Sequence, residues 1–213
     1  MGSVSYLYRG KWWPKETPGK IPYTGKVLRI LAVVLLCGLG QAATLKYWVE
    51  ACARSDSGCR ASDPELAQWA MDAWQAAADG KLTLERTTER EKAQIRIYWA
   101  GGRDGLYGET RPILVGGVRG AEVYVLAPAA NASGGDALLR ETVLYLTCLH
   151  ESGHALGLEH TAAFADIMYN FQYGGDIAEY FARYRRQLRV RDDIRKHSGM
   201  SADDRRRLLA IYR

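Results

Sequence analysis

Hydrophobic and polar positions recur with two different periods along this chain, and each change of period marks a new element. After Asp63 the apolar residues Leu66, Trp69, Ala70, Ala73, Trp74 and Ala77 keep helical spacing. Asp63 suits the N-cap, Pro64 the first helical position, and Gly80 ends the helix. A period of two follows. Leu82–Thr88 reads as a strand, and Ala93–Ala100 sets Ile95, Ile97 and Trp99 against Gln94, Arg96 and Tyr98. Gly101–Gly108 reads as a loop. Arg111–Val115 and Ala121–Ala127 read as short strands around a turn at Gly116–Gly120, and Asn131–Gly135 as a linker. A second long helix is expected from about Asp136 to Leu156. Helix, strands and helix in that order predict an α+β domain with a small, mainly twisted sheet.

The amino-terminal residues have a different character. A basic, proline-containing stretch precedes the uncharged apolar run Ile30–Leu39, and small residues Ala42 and Ala43 follow. That is the order of a secretory signal peptide, cleaved after Ala42 or Ala43. The competing reading is an uncleaved N-terminal membrane anchor, with the apolar stretch carried to Leu45 as a tether through residues 30–45; it is short against the roughly 20 residues of a full span. Either reading puts the remainder outside the cytoplasm, secreted or periplasmic. The expected division is therefore 1–42 for export, 43–62 as a short linker, and 63–213 as one folded domain.

Composition narrows the class. Of 213 residues, 47% are hydrophobic and 25% charged, values of an ordinary globular chain. Four cysteines are too few for a disulfide scaffold. Cys52 and Cys59 flank a short polar loop and can pair in an oxidising compartment or stay free, and spacing does not decide between the two. Cys148 reads as a buried helix residue. The net charge of +5 suggests an anionic partner, but residues 1–42 hold six Lys/Arg and one Glu, which taken from 29 and 24 leave 23 of each sign. No specific nucleic-acid partner is therefore expected. A local excess persists in an arginine-rich helix predicted over 177–196, where Ile177, Tyr180, Phe181, Tyr184 and Leu188 keep helical spacing. Its arginines form either a solvated face or a surface for anionic polymer.

The candidate chemistry lies in His150–His160, which reads HESGHALGLEH. His150 and His154 are four apart on a predicted helix, so their rings share one face and can hold one ion. Glu151 lies beside them, within reach of a water on that ion. Gly157 can take a left-handed conformation that stops the helix, and His160 then returns as a third ligand. Three neutral nitrogens with an open fourth position describe a catalytic zinc site, whereas a structural site is closed by four protein ligands. The plain alternative is a solvated helix face that matches by chance.

HESGHALGLEH resembles the extended metzincin signature HExxHxxGxxH. ADIMYN resembles the Met-turn of that group, with Met168 eight residues after His160, a spacing similar to that of the matrixins, the family of matrix metalloproteinases. MSADDRRRLLAIYR resembles their closing helix, with Ser201 as N-cap and Asp203 and Asp204 in the first turn. The resemblance implies that 63–213 is a metallopeptidase catalytic domain with an active-site helix, a Met-turn and a C-terminal helix. It implies one catalytic zinc on His150, His154 and His160, with Gly157 and Met168 as structural support. Ala121–Leu126 would be the sheet edge above the cleft, along which a peptide binds extended. The chain departs from the family in places. A prodomain cysteine motif is not recognisable. A second zinc site would need more His than His197. Asn170 stands where a proline is usual, leaving Phe171 or Tyr173 to wall the specificity pocket. A calcium ion rests only on Asp104 and its neighbouring glycines.

The function expected from this resemblance is zinc-dependent endopeptidase activity on a protein or peptide substrate, by a monomer. A metal-activated water attacks the peptide bond, and Glu151 acts as general base. Two other classes compete: an exported zinc-binding module without hydrolytic activity, and a basic binding protein in which zinc is incidental.

Overall fold

The computed structural model describes residues 42–101, 107–128 and 134–213. The signal-peptide or anchor reading of residues 1–41 and the calcium reading of Asp104 lie outside them. Five strands form one mixed sheet: β1 (Ala43–Val49), β2 (Leu82–Arg86), β3 (Ile95–Ala100), β4 (Gly108–Val115) and β5 (Val118–Leu126). Their spatial order is β2-β1-β3-β5-β4. The first four in that order run parallel, and β4 pairs antiparallel with β5. Among the described residues there are four α-helices: α1 (Asp63–Ala77), α2 (Ala137–Ala155), α3 (Ile177–Arg185) and α4 (Ala202–Ile211). The α+β class follows. Among the described residues no helix is long and apolar enough to cross a membrane.

Alternation decides which sheet face is covered. Ile95, Ile97 and Trp99 of β3 and Val123 and Val125 of β5 are buried with Trp74 of α1 and Leu149 of α2 in one core. The opposite face carries an aromatic row, with Trp48 edge-on to Tyr98 and Tyr98 stacked on Tyr124. The indole of Trp74 donates to the Leu149 carbonyl at 2.9 Å, which ties α1 to α2 one residue before His150.

Several expectations are revised. Residues 43–62, expected as a short linker, contain β1, which pairs on both sides with β2 and β3. Residues 43–45 of the proposed 30–45 tether are therefore part of the sheet. Ala121–Leu126 is not the sheet edge: β5 lies between β3 and β4, and β4 is the edge. The strand β4 also begins at Gly108, inside the stretch expected as a loop. The arginine-rich helix expected over 177–196 stops at Arg185, and a short 3-10 turn follows at Arg191–Arg195. Past that end, the Asp193 carboxylate accepts from the backbone N–H of Arg189 and Val190 at 2.9 and 3.1 Å, which satisfies these donors outside a helical ladder and opens the 3-10 turn. Its arginines are largely engaged: Arg185 pairs with Asp136, Arg186 with Glu179, and Arg191 with Glu65 and Glu141. Cys52 and Cys59, left open by the sequence, form a disulfide, with their Cα atoms 5.4 Å apart.

Asp63 sits inside the first turn of α1, one place past the Ser62 N-cap. Its carboxylate takes a two-pronged ion pair from Arg140 of α2, at 2.9 and 2.8 Å, with both side chains wholly buried. Arg140 also donates to the Gly58 carbonyl at 3.0 Å, and the Arg60 N–H donates to Asp63 at 2.8 Å. The disulfide loop, α1 and α2 thus meet at one charge pair. Removing one member leaves the other buried and uncompensated. Asp63→Ala is expected to lower unfolding free energy by about 3–5 kcal/mol, read as a drop in urea midpoint. A midpoint equal to the parent's would show that the pair carries no net stability.

Candidate metal centre

α2 carries the first half of the site. Asp136 caps it by accepting from the Leu139 N–H at 2.9 Å, and the helix runs to Ala155. Gly157 then takes φ +98°, a value side chains rarely adopt. The Leu158 N–H donates back to the Gly153 carbonyl at 2.9 Å as the chain reverses. That reversal brings His160 to the helix face. Its Nε2 lies 3.2 Å from Nε2 of His150 and 3.1 Å from Nε2 of His154. Zinc–nitrogen bonds of about 2.0–2.1 Å in tetrahedral geometry place ligand nitrogens about 3.3 Å apart, so this spacing fits one shared ion. The triad can hold a metal ion.

The far side of each ring matters as much. Nδ1 of His150 lies 2.7 Å from the Ile167 carbonyl, and Nδ1 of His154 lies 2.9 Å from the Leu158 carbonyl. Those carbonyls can only accept, so Nδ1 carries the proton and the Nε2 lone pair is free for a metal. His160 differs: its Nδ1 faces the Asn170 side chain at 3.4 Å. All three rings are held neutral. Burial lowers the pKa of His150, against a counterpull from the Ile167 carbonyl, and burial and then His150 lower that of His154. His160 is lowered to about 3 by desolvation within the cluster and then by His154 and His150. Neutral imidazole is the ligating form.

Glu151 occupies the next position of α2 and is 7% exposed. Its Oε2 accepts from the Thr110 hydroxyl of β4 at 2.7 Å. Burial raises its pKa, while His154 and the Thr110 hydrogen bond pull it back. No protein-family model matches the chain, and no curated protein matches it. What the site can do is therefore read from its own chemistry. Next to this triad in α2 stands a buried carboxylate whose pKa burial raises.

A turn under the triad supports it. Met168 is fully buried. A Cβ on Gly153 of α2 would come within 2.5 Å of the Met168 sulfur and 3.0 Å of Trp74, so the helix has no side chain where the sulfur packs. The turn is pinned on both sides. The Thr161 N–H donates to the Met168 carbonyl at 2.8 Å, and the Asn170 N–H to the Thr161 carbonyl at 3.0 Å, which fixes the chain next to His160. From α4, Asp204 accepts from the Ile167 N–H at 2.8 Å and the Ser201 N–H at 2.8 Å. The Tyr180 hydroxyl of α3 donates to the Asp166 carbonyl at 3.0 Å.

The predicted site residues His150, Glu151, His154, Gly157, His160 and Met168 thus come together. Phe171, one of two candidates for a pocket wall, packs on Tyr180 with ring centres 5.1 Å apart, whereas Tyr173 is 65% exposed. His197 lies away from the triad on the chain between α3 and α4, where its carbonyl accepts from the Tyr184 hydroxyl. Cys148 is buried, and burial raises its thiol pKa, as suits an inert core residue. Sequence reasoning missed Gly108, Thr110 and Gly153, and it saw Asp204 only as a helix-start residue. Strand alternation could have paired Gly108 with Thr110 on one face; nothing local pointed that face at Glu151.

Proposed function

We propose that the protein is an exported zinc endopeptidase of metzincin type, matrixin-like in its turn and closing helix. The observation that carries this reading is the convergence of three Nε2 atoms at 3.1–3.2 Å spacing from His160, with Glu151 buried beside them on the same helix. A ring of three neutral imidazoles suits zinc, and a purely structural ion would have no use for the adjacent carboxylate. When bound, zinc supplies Lewis acidity, which acidifies water and polarises a carbonyl. The remaining work falls to the chain. His150, His154 and His160 hold the ion, and the Ile167 and Leu158 carbonyls fix two of their rings. Glu151 takes a proton from the attacking water and returns it to the leaving amine. Met168 gives the triad an apolar floor.

The substrate on this reading is an extended peptide. Among the described residues no strand pairs with the outer edge of β4, and β4 lies against Glu151, so a peptide can add there as a further strand. The Cys52–Cys59 disulfide supports an oxidising, extracytoplasmic location. The test is a peptide-library assay on the full chain, with and without a chelator. Cleavage is expected to vanish on chelation and to return when zinc is restored. A protein that binds zinc and yields no chelator-sensitive cleavage would instead be a binding module without hydrolytic activity.

A further inference from the structure

Strand β4 touches Glu151 at two points. Gly108 and Thr110 are two residues apart and so share one face of the strand, the face packed on α2. The Thr110 hydroxyl lies 2.7 Å from Oε2 of Glu151 and 2.9 Å from the Glu151 backbone carbonyl oxygen. At the neighbouring position on that face, a Cβ on Gly108 would stand 2.6 Å from Cγ and 2.9 Å from Oε1 of Glu151. The carboxylate therefore meets a hydroxyl that holds one oxygen and a bare backbone position that leaves room for the other. Among the described residues, Thr110 is the side chain that hydrogen-bonds this carboxylate. A glutamate has three side-chain torsions to fix, and a general base works only when its oxygen stays within reach of the proton it takes. A β-branched residue with one strongly preferred χ1 is a stiff support for that purpose.

We propose that Thr110 is a positioning residue for Glu151, and that Gly108 is kept without a side chain so that Oε1 stays free. The proposal rests on the reading of Glu151 as general base. The single Thr110 proton goes to Oε2, the nearer acceptor at 2.7 Å, or is shared with the Glu151 carbonyl at 2.9 Å, and either way the hydroxyl holds the carboxylate against β4. A merely structural role, tying β4 to α2, predicts something else: altered stability and substrate affinity, with the turnover step untouched.

The experiment uses the full chain loaded with zinc. Thr110→Val keeps the shape and the β-branch and removes the hydroxyl. Its kcat is expected to fall about tenfold or more, with KM within about twofold of the parent. Thr110→Ser restores most of the loss, short of the parent because serine is freer at χ1. Gly108→Ala, which crowds Cγ and Oε1 of the carboxylate, loses kcat in the same way. A second readout does not depend on turnover. Acetohydroxamic acid binds a metal centre and shares its proton with an adjacent base, so its affinity should fall in Thr110→Val and recover in Thr110→Ser. If the valine variant does not fold, Thr110→Ala takes its place. Parental kcat and parental hydroxamate affinity in the variant lacking the hydroxyl would overturn the proposal, as would a loss confined to KM or melting temperature. A parent that cleaves no peptide overturns the peptidase reading instead, and the hydroxamate comparison then decides the role of Thr110.

Discussion

Glu151→Ala is expected to keep its metal and lose about a thousandfold in kcat. The reason lies in the division of labour at the centre. The three rings take their orientation from the Ile167 and Leu158 carbonyls and from the reversal at Gly157, none of which involves the Glu151 side chain. Truncation removes a buried carboxylate whose pKa is raised by burial, a group costly to keep in a core for packing alone. The Thr110 hydroxyl retains the Glu151 backbone carbonyl as acceptor at 2.9 Å, so β4 stays tied to α2. Metal content after dialysis and peptide turnover should therefore separate: the first unchanged, the second nearly abolished. Glu151→Gln, of the same size, should behave alike. Parental cleavage by either variant would remove Glu151 from the reaction and with it the general-base mechanism.

The metal-free protein should lose stability steeply as pH falls below about 6.5, the ordinary histidine pKa. His150, His154 and His160 all have lowered pKa in the fold, so at these three rings the unfolded chain binds more protons than the folded one, and the opposing group beside them is Glu151, whose pKa burial raises. Stability is then complete above the unfolded pKa and declines as pH drops toward the folded values. His150 and His154 each contribute up to about 1.4 kcal/mol per pH unit in that window. His160 has a solvent-facing edge, and its share is smaller for that reason. Urea midpoints of the apo protein between pH 7 and 5 test this. Zinc should raise the midpoint at pH 7 and lose that effect as acid protonates the ligands. A flat apo midpoint across this range would mean that the rings titrate as free imidazoles and that the cluster is not closed as described.

How much of the site was legible depended on how local its causes are. His150, Glu151 and His154 follow from helical spacing alone, because residues four apart on one helix must share a face. Gly157 and His160 follow from the need to stop that helix and return. The pairing of Cys52 with Cys59 was not legible, since seven residues of separation are compatible with either outcome until the backbone brings the Cα atoms to 5.4 Å. The edge position of Ala121–Leu126 is implied by the family resemblance alone, and hydrophobic alternation cannot correct it, because alternation reports burial, not neighbour order. β5 is the more buried strand for the same reason that it is not the edge: it is paired on both sides. The linker assigned to 43–62 failed similarly. Ala43–Val49 has only two buried positions, and its place inside the sheet comes from partners 39 and 48 residues away in sequence.

Local pattern in the sequence was enough for the α+β class, the histidine triad with its adjacent carboxylate, and the turn residues that let the chain come back to the helix. These rest on short-range geometry, where a few covalent links leave few choices. Only the tertiary structure decided which strand faces Glu151, that Gly153 and Gly108 are bare because a sulfur and a carboxylate press against them, and that Asp204 of α4 holds the turn beneath the triad. Those contacts join residues 15 to 43 positions apart, where chain connectivity constrains little which side chains meet and packing of whole elements decides it.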